Sequence, residues 1–138
     1  MIDLVLQTDS INLEKSLTKL GAKSDGAVVT FIGQARNNSK GKKVLYLEYQ
    51  VYESMAKKEL KKVLEEAKQK WPITNCLTIH RYGKVKIGET SIFIAVSAPH
   101  RLEAFEANKY IIDEIKKRVP IWKKEYYSDG TAWITDRS

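Results

Sequence analysis

The sequence holds a single cysteine, Cys76, so no disulfide can close within the chain. Histidines are also scarce: His80 and His100, even with Cys76, are too few and too poorly spaced to form a structural zinc site. No metal site is expected, and the sparing use of sulfur points to a reducing, cytoplasmic setting. No apolar run approaches the roughly 20 residues of a spanning helix, and the opening MIDLVLQTDS lacks a basic stretch followed by an apolar one. Neither a membrane span nor a secretory leader is expected. Internal repeats and low-complexity tracts are missing too. Prolines number only three, and two of them, Pro72 and Pro120, fall where helical patterns stop.

What is present suits one packed domain covering residues 1–138. At 15.8 kDa the chain can bury about two thirds of its unfolded surface. A hydrophobic fraction of 43%, with three Trp and seven Tyr, excludes a disordered polymer. The formal net charge is +7, and the excess lies after the first thirty residues. Such a balance favours an anionic partner: nucleic acid, a membrane, a phosphorylated metabolite or an acidic protein.

Periodicity divides the chain into alternating strands and helices. Residues 2–6 read as a strand, followed by a short helix capped by Asp9 or Ser10 and stopped at Gly21. Strands are predicted at 27–34 (AVVTFIGQ) and 44–51 (VLYLEYQV), the latter with Leu45, Leu47, Tyr49 and Val51 on one face. The polar loop between them suggests an antiparallel pair. Residues 53–71 place Ala56, Leu60, Val63, Leu64, Ala67 and Trp71 at helical spacing, opposite a lysine-rich face that is either solvated or a partner surface. Strands at 76–82 and 90–98 flank a turn-rich GKVKIGE. A second long helix over 101–118 turns Ala104, Phe105, Ile111, Ile112 and Ile115 inward. Residues 121–127 and 131–134 form a closing hairpin around Ser128-Asp129-Gly130. The class is α+β, a mainly antiparallel sheet with two long helices.

Chemistry concentrates where these elements end. Gly33 lets backbone come close to a ligand, and Arg36 follows at the loop mouth, where a guanidinium either holds a phosphate or is a plain surface charge. Ser97-Ala98-Pro99-His100-Arg101 leads into a helix start, which is either a capping turn or an anion site. From Lys116 the chain passes Pro120 into a strand in which Trp122 and Lys123 face opposite sides. If Trp122 packs inward, Lys124 shares its side and Lys123 points away with Ile121 and Glu125. Alternation therefore excludes a uniformly solvated basic run. Cys76, inside a predicted strand, reads as a buried structural thiol.

Several segments together resemble the large, catalytic subunit of molybdopterin synthase: GAVVTFIGQAR, LEYQVYESMA, IHRYGKVKIGE, VSAPHRLEAFEA, KRVPIWKKE and the closing DGTAWI. Their order and spacing cover nearly the whole chain. The resemblance implies an α/β hammerhead-like fold and a homodimer within a heterotetramer, each copy carrying a small ubiquitin-like sulfur-carrier protein with a C-terminal Gly-Gly thiocarboxylate. It implies a sulfurtransferase that passes sulfur twice to cyclic pyranopterin monophosphate, making the dithiolene of molybdopterin for molybdenum cofactor biosynthesis. No separate cofactor is implied. Matched by motif, Gln34, Ala35, Arg36, His100, Arg101, Lys116, Lys123, Lys124 and Glu125 are implied to bind substrate, with Lys116 and Lys123 catalytic. Arg137, placed by its spacing from Trp133, matches an arginine that reaches across the dimer.

A phosphorylated pterin and a carrier carboxyl terminus are both anions, so a shared pocket of Arg36, His100, Arg101, Lys116 and Lys123 has the right charge. Clustered cations also lower each other's pKa, which suits a lysine to acid or base work. Two other classes compete. One is an RNA binder presenting Tyr46, Tyr49 and Phe93 to unstacked bases, although these lie in strands that read as core and no RNA-binding signature is found. The other is an anion sensor with the same pocket and no chemistry.

Overall fold

Hydrophobic alternation and turn residues produce nine strands and three helices in a computed structural model that describes residues 1–135. The strands are β1 (Ile2–Gln7), β2 (Ala27–Gln34), β3 (Asn38–Ser39), β4 (Lys42–Val51), β5 (Asn75–Arg81), β6 (Gly83–Lys86), β7 (Thr90–Ala98), β8 (Ile121–Tyr127) and β9 (Ala132–Thr135). The helices are α1 (Leu13–Leu17), α2 (Glu53–Lys70) and α3 (Arg101–Arg118). A first sheet runs in the order β1-β5-β7-β2, a second in the order β3-β4-β8-β9 with β6 also on β4. Among the described residues only β1 and β5 pair in parallel, so the expected α+β class with mainly antiparallel sheet is observed.

The first sheet is covered on both faces, which is why β5 and β7 are buried along almost their whole length rather than at alternate residues. One face packs on α2 and α3 through Ile94, Val96, Leu60, Val63, Ala104 and Ile111. On the other, Leu77, Ile79, Phe93 and Ala95 lie beneath Ile11, Leu13 and Leu20. The larger core continues through Val44, Leu47, Val85 and Ile121 into the second sheet. Burying each such side chain contributes about 1.5–3 kcal/mol.

Several local expectations are corrected. Asp9 and Ser10 do not cap a helix, because Gln7 Nε2 donates to both their carbonyls and holds the stretch bent. The cap is Asn12, whose Oδ1 accepts from Lys15 N at 2.9 Å, and α1 ends at Leu17 rather than Gly21. β2 and β4 do not pair. Ala35 bonds through its N–H to Glu89 O and through its carbonyl to Gly88 N, so the chain leaves the first sheet there and enters the second. β2 pairs instead with β7, and β4 with β8. The GKVKIGE stretch contains a strand, β6, which sets the fully buried Val85 opposite Leu47. Leu45 is half exposed because a register shift between Val44 and Tyr46 leaves it as the extra residue of a bulge. Phe105 points outward, and Ala107 and Asn108 take the inward line of α3 with Ala104, Ile111 and Ile115.

Candidate active site

The two sheets meet along a seam, and six elements place side chains around one cavity of about 200 Å³ there. β2 supplies Phe31, Gly33 and Gln34 at its end, and β7 supplies Ser91 and Ile92 at its start. β5 contributes His80, β4 contributes Tyr49, the last turns of α3 contribute Ile115 and Lys116, and β8 contributes Lys123. Arg36, just past β2, closes the ring. The floor is apolar and the rim cationic, which favours an anion with an apolar body.

Gly33 sits at a register shift in β2. A Cβ there would meet Ile92 Cγ2 at 2.7 Å, so the residue that demands glycine is Ile92 of β7. Ser91 Oγ donates to Gly33 O at 3.2 Å and fixes the kinked edge. Ala35, although adjacent in sequence, is 2% exposed and is held by its backbone, so it serves to anchor the loop that carries Gln34 and Arg36.

Alternation in β8 is settled by burial. Ile121, Glu125 and Tyr127 are buried, so Lys123 lies on the inward face and Trp122, Lys124 and Tyr126 on the other. Burial lowers the Lys123 pKa, and Lys116 and Arg36 lower it further, while Glu125 acts in the opposite sense. Glu125 itself accepts from Ser39 Oγ and Tyr127 Oη, each at 3.1 Å, which tethers β3 to β8 beneath the seam. Lys124 stands over the Tyr126 ring, 4.9 Å from its centroid, away from the cavity. Lys117, next to Lys116, is exposed and paired with Glu114 at 3.5 Å. The cavity thus selects Lys116 over Lys117 and Lys123 over Lys124.

His100 and Arg101 do not reach this cavity within one chain. They line a shallow depression with Leu102, Glu103 and Phe105 at the other end of α3. At 1.5 Å per residue the helix separates Arg101 from Lys116 by roughly 22 Å. The two ends of β7 lie about as far apart, roughly 27 Å at 3.4 Å per residue, with Ala98 paired to Ala27 at one end and Thr90 to Gln34 at the other. Arg137 lies outside the described residues. His80, Tyr49 and Ser91 are cavity residues that the motif reading passed over. The signal for His80 was available, since a titratable ring inside a strand that reads as core, CLTIHRY, needs a partner or a task. Among the described residues, no group of three or more His, Cys, Asp or Glu side chains is arranged to hold a metal ion.

A family model described as "MoaE protein" matches residues 6–118. The chain belongs to this family. A molybdopterin synthase catalytic subunit of Pyrococcus abyssi is 41% identical over 133 residues, 96% of this chain and 90% of that one. Among solved structures, molybdopterin synthase from Staphylococcus aureus superposes with a TM-score of 0.89 at 40% identity, covering 95% of each chain. A complex of subunits 1 and 2 of molybdopterin-converting factor from Helicobacter pylori shares the fold at 23% identity, with a TM-score of 0.74 over 93% of this chain and 86% of that one. The MoaE match takes in β2 with the loop after it, β5, β7 and α3, and therefore Arg36, His80 and Lys116, while Lys123 falls just beyond it.

Proposed function

We propose that this chain is the catalytic subunit of a molybdopterin synthase, transferring sulfur from the thiocarboxylate of a small carrier protein to cyclic pyranopterin monophosphate. The observation that carries the reading is the convergence of Arg36, Lys116 and Lys123 on one cavity with an apolar floor. Arg36 suits the substrate phosphate, because a guanidinium binds such oxygens bidentately. The two ammonium groups suit the thiocarboxylate, polarising its carbonyl as the sulfur bonds to a side-chain carbon of the pterin and the C–O bond of that carbon breaks, its oxygen leaving on the phosphate or as water. Water then cleaves the link to the carrier, which leaves as a carboxylate, and two such rounds give the dithiolene. A lysine whose pKa is lowered by burial gives up and regains a proton more readily near neutral pH.

Within this reading the active unit is a homodimer flanked by two carriers. His100 and Arg101 belong to the substrate site only if a second copy delivers them, because α3 holds them roughly 22 Å from Lys116 of their own chain. Arg137 is assigned the same cross-dimer role. The Pyrococcus abyssi and Staphylococcus aureus relatives, both named for this enzyme, support the assignment. The complex of subunits 1 and 2 of the Helicobacter pylori protein supports a partner subunit.

The RNA-binding alternative loses two of its three rings, since Phe93 is fully buried and Tyr49 is 7% exposed, and the third, Tyr46, is stacked on Tyr126. The deciding experiment mixes the purified chain with the cyclic pyranopterin and a thiocarboxylated carrier and assays for dithiolene. Formation at a ratio of two sulfurs per pterin is expected. Pterin uptake without dithiolene, in the presence of competent carrier, would leave only a sensor.

A further inference from the structure

We propose that His80 is a further ligand-binding residue of the seam cavity, accepting a hydrogen bond from an N–H or O–H group of the anion that Arg36, Lys116 and Lys123 attract. The nature of that anion, a phosphorylated pterin, rests on the function proposed above; the role of the ring rests on its own geometry. His80 is 5% exposed and lies one residue from the end of β5. Its Nδ1 is 2.7 Å from the carbonyl oxygen of Arg81. A carbonyl only accepts, so Nδ1 carries the hydrogen and the neutral ring keeps a bare lone pair on Nε2. Burial, reinforced by Lys116, pushes the pKa down to about 4, so Nε2 remains an acceptor at neutral pH.

Nε2 has no partner among the described residues. It is also absent from the fully enclosed polar atoms that lack one, which here are Thr78 Oγ1, Arg81 Nε and Glu103 Oε2. Since the ring lines the cavity, the open side of Nε2 is the cavity. Tyr49 packs edge-on against the imidazole, with centroids 5.2 Å apart at 73°, and fixes its plane. The result is a rigid, buried acceptor beside three cationic side chains that can only donate.

A rim of cations alone does not distinguish one small anion from another. An acceptor adds the missing discrimination, because it rewards a ligand that carries a donor beside its anionic group. The N–H groups of a pterin meet that requirement, whereas sulfate has charge and no hydrogen to give. His80 thus sets which anion stays, while Arg36, Lys116 and Lys123 set that an anion comes.

The test is calorimetric titration of the full chain with the phosphorylated pterin and, separately, with sulfate. His80→Phe keeps ring volume without an acceptor, and His80→Gln offers Oε1 near the place of Nε2. His80→Phe should bind pterin about tenfold more weakly with sulfate affinity unchanged, and His80→Gln should recover most of the loss. Equal pterin affinity in wild type and His80→Phe overturns the proposal, as does a parallel loss of pterin and sulfate. Should His80→Phe fail to fold, the ring nitrogen resonances of the wild-type protein decide: Nε2 must shift on pterin addition, and an unmoved resonance overturns the proposal. Failure of the functional reading looks different, for the wild-type chain then takes up sulfate but no pterin, and the proposed ligand class falls with it.

Discussion

Lys123 shares the inward face of β8 with Ile121 and Glu125, and Lys116 and Arg36 line the same cavity. That placement separates it from Lys124, one residue on, which rests on Tyr126 outside the cavity. Lys116→Ala and Lys123→Ala should therefore each slow dithiolene formation about a hundredfold or more, with circular dichroism unchanged. Lys117→Ala and Lys124→Ala should stay within about twofold of wild type, and equal damage from all four would reduce the role of the lysines to bulk charge. Lys123→Arg should restore binding better than turnover, since a guanidinium does not release a proton. The sequence disclosed that Lys123 and Trp122 must differ in side, but not which side was inward, because β8 has an aromatic on one face and an isoleucine on the other. His80 allows a prediction about stability. Its folded-state pKa, about 4, lies below the ordinary 6.5, so between these values the unfolded chain binds a proton that the folded chain does not. Stability is then fully present above about pH 6.5 and falls as pH drops towards 4, by up to about 3 kcal/mol. Denaturant melts of wild type and His80→Gln across that range should show the slope in the first and a flatter line in the second.

At the scale of elements, α2 and α3 were legible because long amphipathic stripes and the following prolines mark both helices without reference to tertiary structure. The pairings were less legible. Which strand β2 joins depends on Ala35 being captured by the β6–β7 turn, a contact between residues more than fifty positions apart. Leu45 was misplaced for a similar reason, as a bulge reverses the alternation and leaves no mark in the residue types. The contact that locks the two long helices together was likewise invisible in sequence. Arg118 at the end of α3 reaches Glu66 of α2 at 2.6 Å and Glu59 at 3.5 Å, and Tyr110 Oη donates to Glu66 at 2.7 Å. Arg118 and Tyr110 together hold the Glu66 pKa down at about 2. Glu66→Gln should destabilise the fold by about 1 kcal/mol at neutral pH, and by less in high salt, because the cluster is partly solvated. The wild-type advantage should fade as pH falls from about 4.5 towards 2, where the carboxylate takes up its proton. A thermal melt series against pH and salt reads both effects, and an advantage that survives at pH 2 would assign it to packing instead.

At the scale of the whole molecule, the cationic residues fall into two groups at opposite ends of α3, and the proposed dimer is what would join them. Complementation measures this. Arg101→Ala chains and Lys116→Ala chains should each be nearly inactive alone. Refolded together in equal amounts, half of the dimers are mixed and each mixed dimer has one intact site, so about a quarter of wild-type activity should return. No recovery in mixtures that demonstrably exchange subunits would place His100 and Arg101 outside the site. The strand order carries one more consequence, for synthesis rather than for catalysis. No two strands that follow one another in the chain are neighbours in the first sheet: β1 waits for β5, and β2 for β7. A nascent chain emerging from the ribosome can form α2 from local contacts, yet it has no completed sheet until Ala98 is out and no enclosed cleft until Lys123 follows. The cleft is therefore among the last parts of the protein to exist, with only the end of β8 and β9 still to come. A product terminated before Lys123 should bind no anion there, so such a half-made chain cannot seize the substrate without transforming it.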